Sequence, residues 1–166
     1  EVEFLRRDAR DFAFGEPFGG AIMICEGGFS LMETDEENEA ILGCASAAIA
    51  EGGKLILTTL NALFPLFHDV QKFINENEVT TATDCAGFDL MTFRQNSTMT
   101  FTDDSGNEKT ITCTERFYTP AEMTKMLKQV GFAKVAIHGC KLGAYSREHA
   151  LTPDDFEMLV IGRKGR

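Results

Sequence analysis

The apolar residues fall into short runs separated by polar, glycine-bearing joints, and two runs have the length of buried strands. Ala21-Ile22-Met23-Ile24-Cys25 follows the break Pro17-Phe18-Gly19-Gly20, and Leu55-Ile56-Leu57-Thr58-Thr59-Leu60 follows Gly52-Gly53-Lys54. Continuous rather than alternating apolarity suits a strand covered on both faces. Between them, Thr34-Asp35-Glu36-Glu37 reads as a capping box: the Thr34 hydroxyl takes an orphan N–H, Glu37 reaches back, and the acids suit the positive end of the helix dipole. Ala40, Ile41, Cys44, Ala47 and Ala48 then share one face at helical spacing, and Gly52-Gly53 is expected to end the helix. Strand, helix and strand make one βαβ crossover. Residues 65–77 predict a further helix, with Leu66, Phe67, Val70, Phe73 and Ile74 on its apolar side, and Val2-Glu3-Phe4-Leu5 predicts a short strand ahead of the polar loop 6–11.

The middle of the chain changes period. Residues 88–93 read as a strand, while Thr98-Met99-Thr100-Phe101-Thr102 and Thr110-Ile111-Thr112-Cys113-Thr114 alternate threonine with apolar residues around the turn-forming Asp103-Asp104-Ser105-Gly106-Asn107. That pattern predicts an antiparallel β-hairpin with one apolar and one hydroxyl face, inserted over residues 88–115 to cap a site or to contact another chain. Thr119-Pro120-Ala121-Glu122 is a second capping box with proline at the first helical position; Met123, Met126, Leu127 and Val130 form the buried stripe before Gly131. Residues 133–137 and 156–161 close the chain as an antiparallel strand pair joined by a polar stretch, 139–155. The class is α/β, in a single domain over residues 1–166.

Composition narrows the function classes. The chain has 166 residues and a net charge of −10, which opposes a phosphate backbone and argues against nucleic acid as a partner. No apolar run approaches the ~20 residues of a membrane-spanning helix. The 5 cysteines are odd in number and form no CxxC or Cys/His cluster, so neither a disulfide framework nor a metal site is signalled and a cytoplasmic location is expected. Of these, Cys25, at the end of an apolar strand, is the one whose position invites chemistry. His68, His138 and His149 have no Ser, Asp or ligand arrangement beside them in sequence and read as structural.

Four pieces, in order, resemble the C-terminal part of the class I S-adenosylmethionine-dependent methyltransferases. Residues 4–14, Phe-Leu-Arg-Arg-Asp-Ala-Arg-Asp-Phe-Ala-Phe, are similar to that family's third strand and following loop. Residues 17–25 with Glu26-Gly27-Gly28-Phe29 resemble its fourth strand and cofactor-side loop. Ala50-Glu51-Gly52-Gly53-Lys54-Leu55-Ile56-Leu57 is similar to the turn into its fifth strand, and Arg116-Phe117-Tyr118-Thr119-Pro120-Ala121-Glu122 through Phe132 resembles the helix before its last two strands. Two positions depart: Glu51 stands in place of a proline, and Gly19 in place of an aspartate. The family's glycine-rich turn and acidic ribose-binding residue have no counterpart in the sequence, which begins at Glu1.

The resemblance implies a partial Rossmann-like sheet, mostly parallel with an antiparallel last strand, and methyl transfer from S-adenosyl-L-methionine to a small-molecule acceptor. It implies that Asp8 accepts from the adenine amino group and the Ala9 amide meets a ring nitrogen. Cys25, Glu26 and Gly27 would line the methionine end, with Glu26 the candidate to bind or deprotonate an amine, and Arg116 and Tyr118 would face the acceptor. Without the first strands, cofactor binding is expected to be weak or absent, and the Ala21–Cys25 strand is left with an open edge. A rearranged first strand, a homodimer or a partner chain would cover it. A catalytically inactive interaction or oligomerisation module is the alternative of a different class. A nicotinamide-dependent oxidoreductase shares the fold grammar but has no GxGxxG here.

Overall fold

The computed structural model describes residues 2–24, 28–77, 82–141 and 144–166; residues 77, 82–86, 141 and 144 are described at the backbone alone. Strand β1 (Phe18–Met23) precedes helix α1 (Asp35–Ala48), and strand β2 (Ile49–Leu60) follows the helix without a joint. Thr34 caps α1 as expected, its hydroxyl accepting from the Glu37 N–H at 3.2 Å. Gly52-Gly53 does not end this helix: α1 stops at Ala48, and both glycines lie inside β2. Gly53 has no room for a side chain, being crowded both by the start of its own strand and by β1. A Cβ on it would sit 2.6 Å from Ile49 Cγ2 and 2.9 Å from the Gly19 carbonyl oxygen.

The predicted helix 65–77 divides into a 3-10 turn (Phe64–Leu66) and helix α2 (Val70–Asn77). Asp69 makes the division by accepting from the Lys72 N–H at 2.9 Å, a side-chain cap that starts a new helix. Strands β3 (Ala82–Asp89), β4 (Arg94–Thr102) and β5 (Glu108–Arg116) then form a separate antiparallel sheet in sequence order. The inserted element is therefore three strands rather than a hairpin. Residues 90–93, expected within a strand, make the turn between β3 and β4, with Phe93 at φ 52. Helix α3 (Pro120–Gln129) opens on the complete Thr119/Glu122 capping box, and β6 (Phe132–Lys141), β7 (Ala144–Tyr145) and β8 (Glu157–Lys164) complete the chain.

The main sheet runs in the order β1-β2-β8-β6-β7. Strands β1, β2 and β6 point one way, but β8 inserts antiparallel between β2 and β6, so β1–β2 is the one parallel pairing in this sheet among the described residues. The expectation of a mostly parallel sheet is corrected accordingly, while the antiparallel closing pair is present. Helices α1 and α3 bury Leu42, Ala45, Met123 and Leu127 against Leu55, Leu57, Met158 and Val160 on one face of this sheet. A second core of Leu60, Phe64, Val70 and Phe117, with Phe73, Phe88 and Phe156 around it, joins α2 and the inserted sheet to the end of β2. Neither Val2–Leu5 nor the rest of the segment before β1 forms a strand. Phe4 is 92% exposed, and the expected first strand, in place or rearranged, is not present. Strand propensity alone supplies no partner, and without pairing the extended form gains nothing over coil. The segment is instead tied to α1 through an Arg10–Glu37 ion pair and the Cys44 thiol on the Arg10 carbonyl.

Candidate functional site

The carboxyl-terminal ends of β1 and β2 are where open α/β sheets place ligands, and a dense polar junction is assembled there. After β2, Asn61 bridges to Tyr118, the Tyr118 N–H donates to the Leu60 carbonyl at 3.1 Å, and the Ala62 N–H donates to the Tyr118 carbonyl at 3.0 Å. The stretch 116–118 leaving the inserted sheet is thereby laid along the end of β2. From the other side, residues 28–34 after β1 fold back under it, with the Arg116 N–H donating to the Ser30 carbonyl at 2.8 Å.

The side chains here are largely engaged with one another. Asn38 Oδ1, from the first turns of α1, accepts from the Ser30 N–H at 3.0 Å and the Met32 N–H at 3.4 Å. Arg94 Nη1 donates to the Met32 carbonyl at 2.8 Å and Nη2 to Asp35 at 2.7 Å. Arg116, 7% exposed, pairs with Glu122 at 2.8 Å and Asp35 at 3.4 Å, donates to the Phe117 carbonyl, and lies 4.7 Å over the Tyr118 ring. Tyr118 is itself 1% exposed and stacked on Phe29 at 5.2 Å. Burial pushes its hydroxyl above the usual phenol range, reinforced by the Asp35 charge and opposed by Arg116, Asn38 and Arg94. For Glu122, burial raises the carboxyl, but the Thr119 N–H and hydroxyl and the Arg116 guanidinium outweigh it and hold the group below its ordinary value. Among the described residues, five buried side-chain polar atoms lack a well-aligned hydrogen bond: Ser30 Oγ, Asn38 Nδ2, Thr59 Oγ1, Arg116 Nε and Tyr118 Oη. Four belong to this junction, and Ser30 also carries φ 74, a left-handed backbone rare in a residue with a side chain.

The residues singled out in the sequence are distributed unevenly around this junction. Arg116 and Tyr118 form its buried wall. Asp8 and Ala9 lie in the exposed segment before β1. There Asp8 accepts from the Arg10 N–H at 2.9 Å and from its guanidinium at 3.0 and 2.8 Å, bonds that pull its carboxyl down to about 2. Cys25, Glu26 and Gly27 lie outside the described residues. The histidines expected to be structural acquire carboxylate partners: His68 Nε2 is 2.9 Å from Asp154, and His149 Nε2 is 2.7 Å from Asp155. Asp35 and Arg94 were not singled out as site residues, because the partners that matter lie about sixty residues away, and Asn38, whose partners Ser30 and Met32 are near in sequence, belongs to no recognisable motif. A cleft of about 440 Å³ opens beside the junction between residues 65–71 and the inserted sheet, with Phe67, His68, Phe88 and the buried Gln95 on its walls. Among the described residues no cluster of three or more His, Cys, Asp or Glu has metal-holding geometry. Among the described residues no helix is long and apolar enough to cross a membrane.

No protein-family model matches the chain, and no curated protein matches it by sequence. Solved structures do match. The CcbJ methyltransferase from Streptomyces caelestis aligns over 96% of this chain with a TM-score of 0.64 at 12% identity. An S-adenosylmethionine-dependent methyltransferase from Clostridium acetobutylicum aligns over 96% with a TM-score of 0.65 at 11% identity. The glycopeptide N-methyltransferase MtfA, solved with S-adenosyl-L-homocysteine, aligns over 95% with a TM-score of 0.53 at 16% identity. The fold is therefore class I methyltransferase-like. The chain spans 62% and 63% of the length of the first two structures.

Proposed function

We propose that this chain supplies the acceptor side of an S-adenosylmethionine-dependent methyl transfer to a small molecule. The observation that carries this reading is the likeness to solved methyltransferases over 96% of the chain; it is supported by the polar junction lying beyond the carboxyl-terminal end of β2, the end at which open α/β sheets bind ligands. Neighbours described as an amino pentose methyltransferase and a glycopeptide N-methyltransferase support a small-molecule acceptor of that general kind.

The described residues fit one edge of the cofactor. Asp8 is a half-exposed carboxylate, ionised at neutral pH, with lone-pair capacity beyond its three bonds from Arg10, which suits an adenine amino group. The α1 N-terminus is unsuited to the carboxylate of the methionine end, since Thr34 already caps it and Asp35, Glu36 and Glu37 fill its first turn. The bound cofactor would supply a methyl group on a sulfonium. The chain's contribution is to position the acceptor, because displacement at that centre needs alignment more than acid or base. In this reading the inserted sheet caps the acceptor and Arg116 and Tyr118 fix the wall beneath it; the family resemblance, not the structure, names Glu26 as the candidate to take a proton from an amine. A cytoplasmic location belongs to the same proposal.

Calorimetric titration with S-adenosylmethionine and S-adenosylhomocysteine, on the 166-residue chain and on an N-terminally extended polypeptide, tests the reading. Weak or absent binding is expected for the former and saturable binding for the latter. An extended polypeptide that binds neither compound refutes it.

A second reading, an interaction or oligomerisation module, is favoured by one observation. Ile22, 71% exposed on a strand with one neighbour among the described residues, continues into a cross-strand row with Ile56 and Ile161 on the sheet face opposite α1 and α3. Sedimentation separates the readings: a dimer that Ile22→Lys dissociates supports the module.

A further inference from the structure

The loop after β1 does not hold its shape unaided. Ser30 sits at φ 74 while fully buried, so the surrounding contacts must over-determine that backbone. Two of those contacts come from α1, through Asn38 Oδ1 to the Ser30 and Met32 amides. The other two come from the inserted sheet: the Arg116 N–H on the Ser30 carbonyl and Arg94 Nη1 on the Met32 carbonyl, each at 2.8 Å. Arg94 and Arg116 stand directly opposite each other at the base of β4 and β5. Their side chains are only 14% and 9% exposed, and two guanidinium groups in such surroundings repel unless an anion stands between them. Asp35 Oδ1 is that anion, 2.7 Å from Arg94 and 3.4 Å from Arg116. Glu122 serves Arg116 alone, and Glu37 is taken by Arg10.

We propose that Asp35 is a positioning residue: by holding Arg94 and Arg116 together it locks the base of the inserted sheet to residues 28–34, so that cap and loop move as one wall of the acceptor site. The functional half of this statement rests on the methyl-transfer reading; the mechanical half does not. Removing the charge leaves Arg94 facing Arg116. Arg94 then swings outward, the Met32 carbonyl loses its donor, and the loop relaxes. The sheet keeps its own ladder, so the damage is confined to the junction.

Amide hydrogen exchange on Asp35→Asn, Asp35→Glu and Glu36→Gln tests the lock. Exchange across residues 28–34 should accelerate about tenfold or more in Asp35→Asn, with α3 unchanged. It should return toward wild type in Asp35→Glu, which restores the carboxylate. Glu36→Gln removes an equivalent first-turn charge from the same helix dipole and should leave the loop unaffected. If Asp35→Asn fails to fold, Arg94→Gln provides the same readout. Loop exchange unchanged in the charge-removing variant, or equally fast in Glu36→Gln, overturns the proposal. On an extended polypeptide that binds S-adenosylhomocysteine, Asp35→Asn should also weaken that binding severalfold, whereas Glu36→Gln should not; equal affinity in both variants overturns the functional half. If the wild-type polypeptide binds none, the methyl-transfer reading falls and the exchange data alone decide the lock.

Discussion

Asp155 offers a sharp quantitative test of how the polar stretch 139–155 is held against the sheet. Its carboxylate, 6% exposed, accepts from His149 Nε2 at 2.7 Å, the Thr152 N–H at 2.8 Å and the Thr152 hydroxyl at 2.9 Å. Its backbone carbonyl accepts from Asn61 Nδ2 at 2.8 Å, which links this loop to the end of β2. Asp155→Ala removes three bonds to a charged acceptor. Hydrogen bonds of that kind contribute about 1.5–3 kcal/mol each, but Thr152 and His149 are part-exposed and recover water, so the net cost is roughly 3 kcal/mol. For a chain of this length that lowers Tm by about 6–12 °C. Asp155→Asn keeps one acceptor oxygen for Thr152 and should cost about half as much. Burial raises the Asp155 carboxyl, but the bonds from His149 and Thr152 outweigh it and leave the group below its ordinary value of 3.8. A depressed carboxyl stabilises the fold above its unfolded-state value, and the contribution is lost as pH falls through the lower folded-state value. Urea unfolding of wild type and Asp155→Asn should therefore show a constant gap from pH 6 to 5 that narrows below pH ~4. A cost under about 1 kcal/mol for Asp155→Ala, or a gap that persists unchanged to pH 2, would refute this account of the loop.

Three further outcomes follow from the same geometry. Gly139→Ala should destabilise by about 2–4 kcal/mol, since its Cβ would lie 2.5 Å from Asp155 Oδ2 and 2.7 Å from His149 Nε2 and overlap His149 Cδ2. In a His149→Ala background part of that cost should disappear in urea titrations. Ser30→Gly should stabilise by up to about 1 kcal/mol, because glycine accepts the φ of 74 freely and the unbonded hydroxyl is removed; a loss of stability in thermal unfolding would show that Ser30 Oγ has a partner. Tyr118→Phe should cost no more than about 1 kcal/mol, because the Asn38 amide is the one neutral polar group acting on the buried hydroxyl and makes no well-aligned bond to it. In an alkaline absorbance titration of the 2 tyrosines, the share belonging to Tyr118 should appear only on unfolding and vanish in the variant.

What could be read from the sequence was what neighbouring residues decide among themselves. Thr119-Pro120-Ala121-Glu122 specifies its helix start within four positions, and the structure forms both reciprocal bonds. The apolar runs of β2 and β8 specify strands because each is too short for a core helix and is bounded by polar or glycine-bearing joints; their faces are not equally covered, since Leu55, Leu57 and Val160 are buried while Ile56 and Ile161 are only partly so. Gly52-Gly53 was misassigned by the same local logic: a glycine pair after a helical stripe is ordinary punctuation. What excludes a side chain at position 53 is a set of contacts made only once the strand has formed: Ile49 Cγ2 at 2.6 Å and the Ala50 carbonyl at 2.9 Å within β2, and the Gly19 carbonyl at 2.9 Å from β1. Val2–Leu5 has strand propensity and no strand to pair with. The three-stranded insertion was underestimated because residues 82–87, including Gly87, do not continue the threonine–apolar alternation that marks the other two strands.

The candidate site divides along the same line. Arg116 and Tyr118 could be singled out because they directly precede a legible helix cap. Asp35 was also visible, but only as one of three acids in a first turn, a role that Glu36 or Glu37 fills equally well. Its distinguishing partner, Arg94, lies 59 residues away and meets it only because β4 begins in register with the end of β5, where the inserted sheet adjoins residues 30–35. A local motif that already accounts for a residue conceals the non-local one. Comparing Asp35→Asn with Glu36→Gln separates the two roles, since both lose the same interaction with the helix dipole and only one loses the lock.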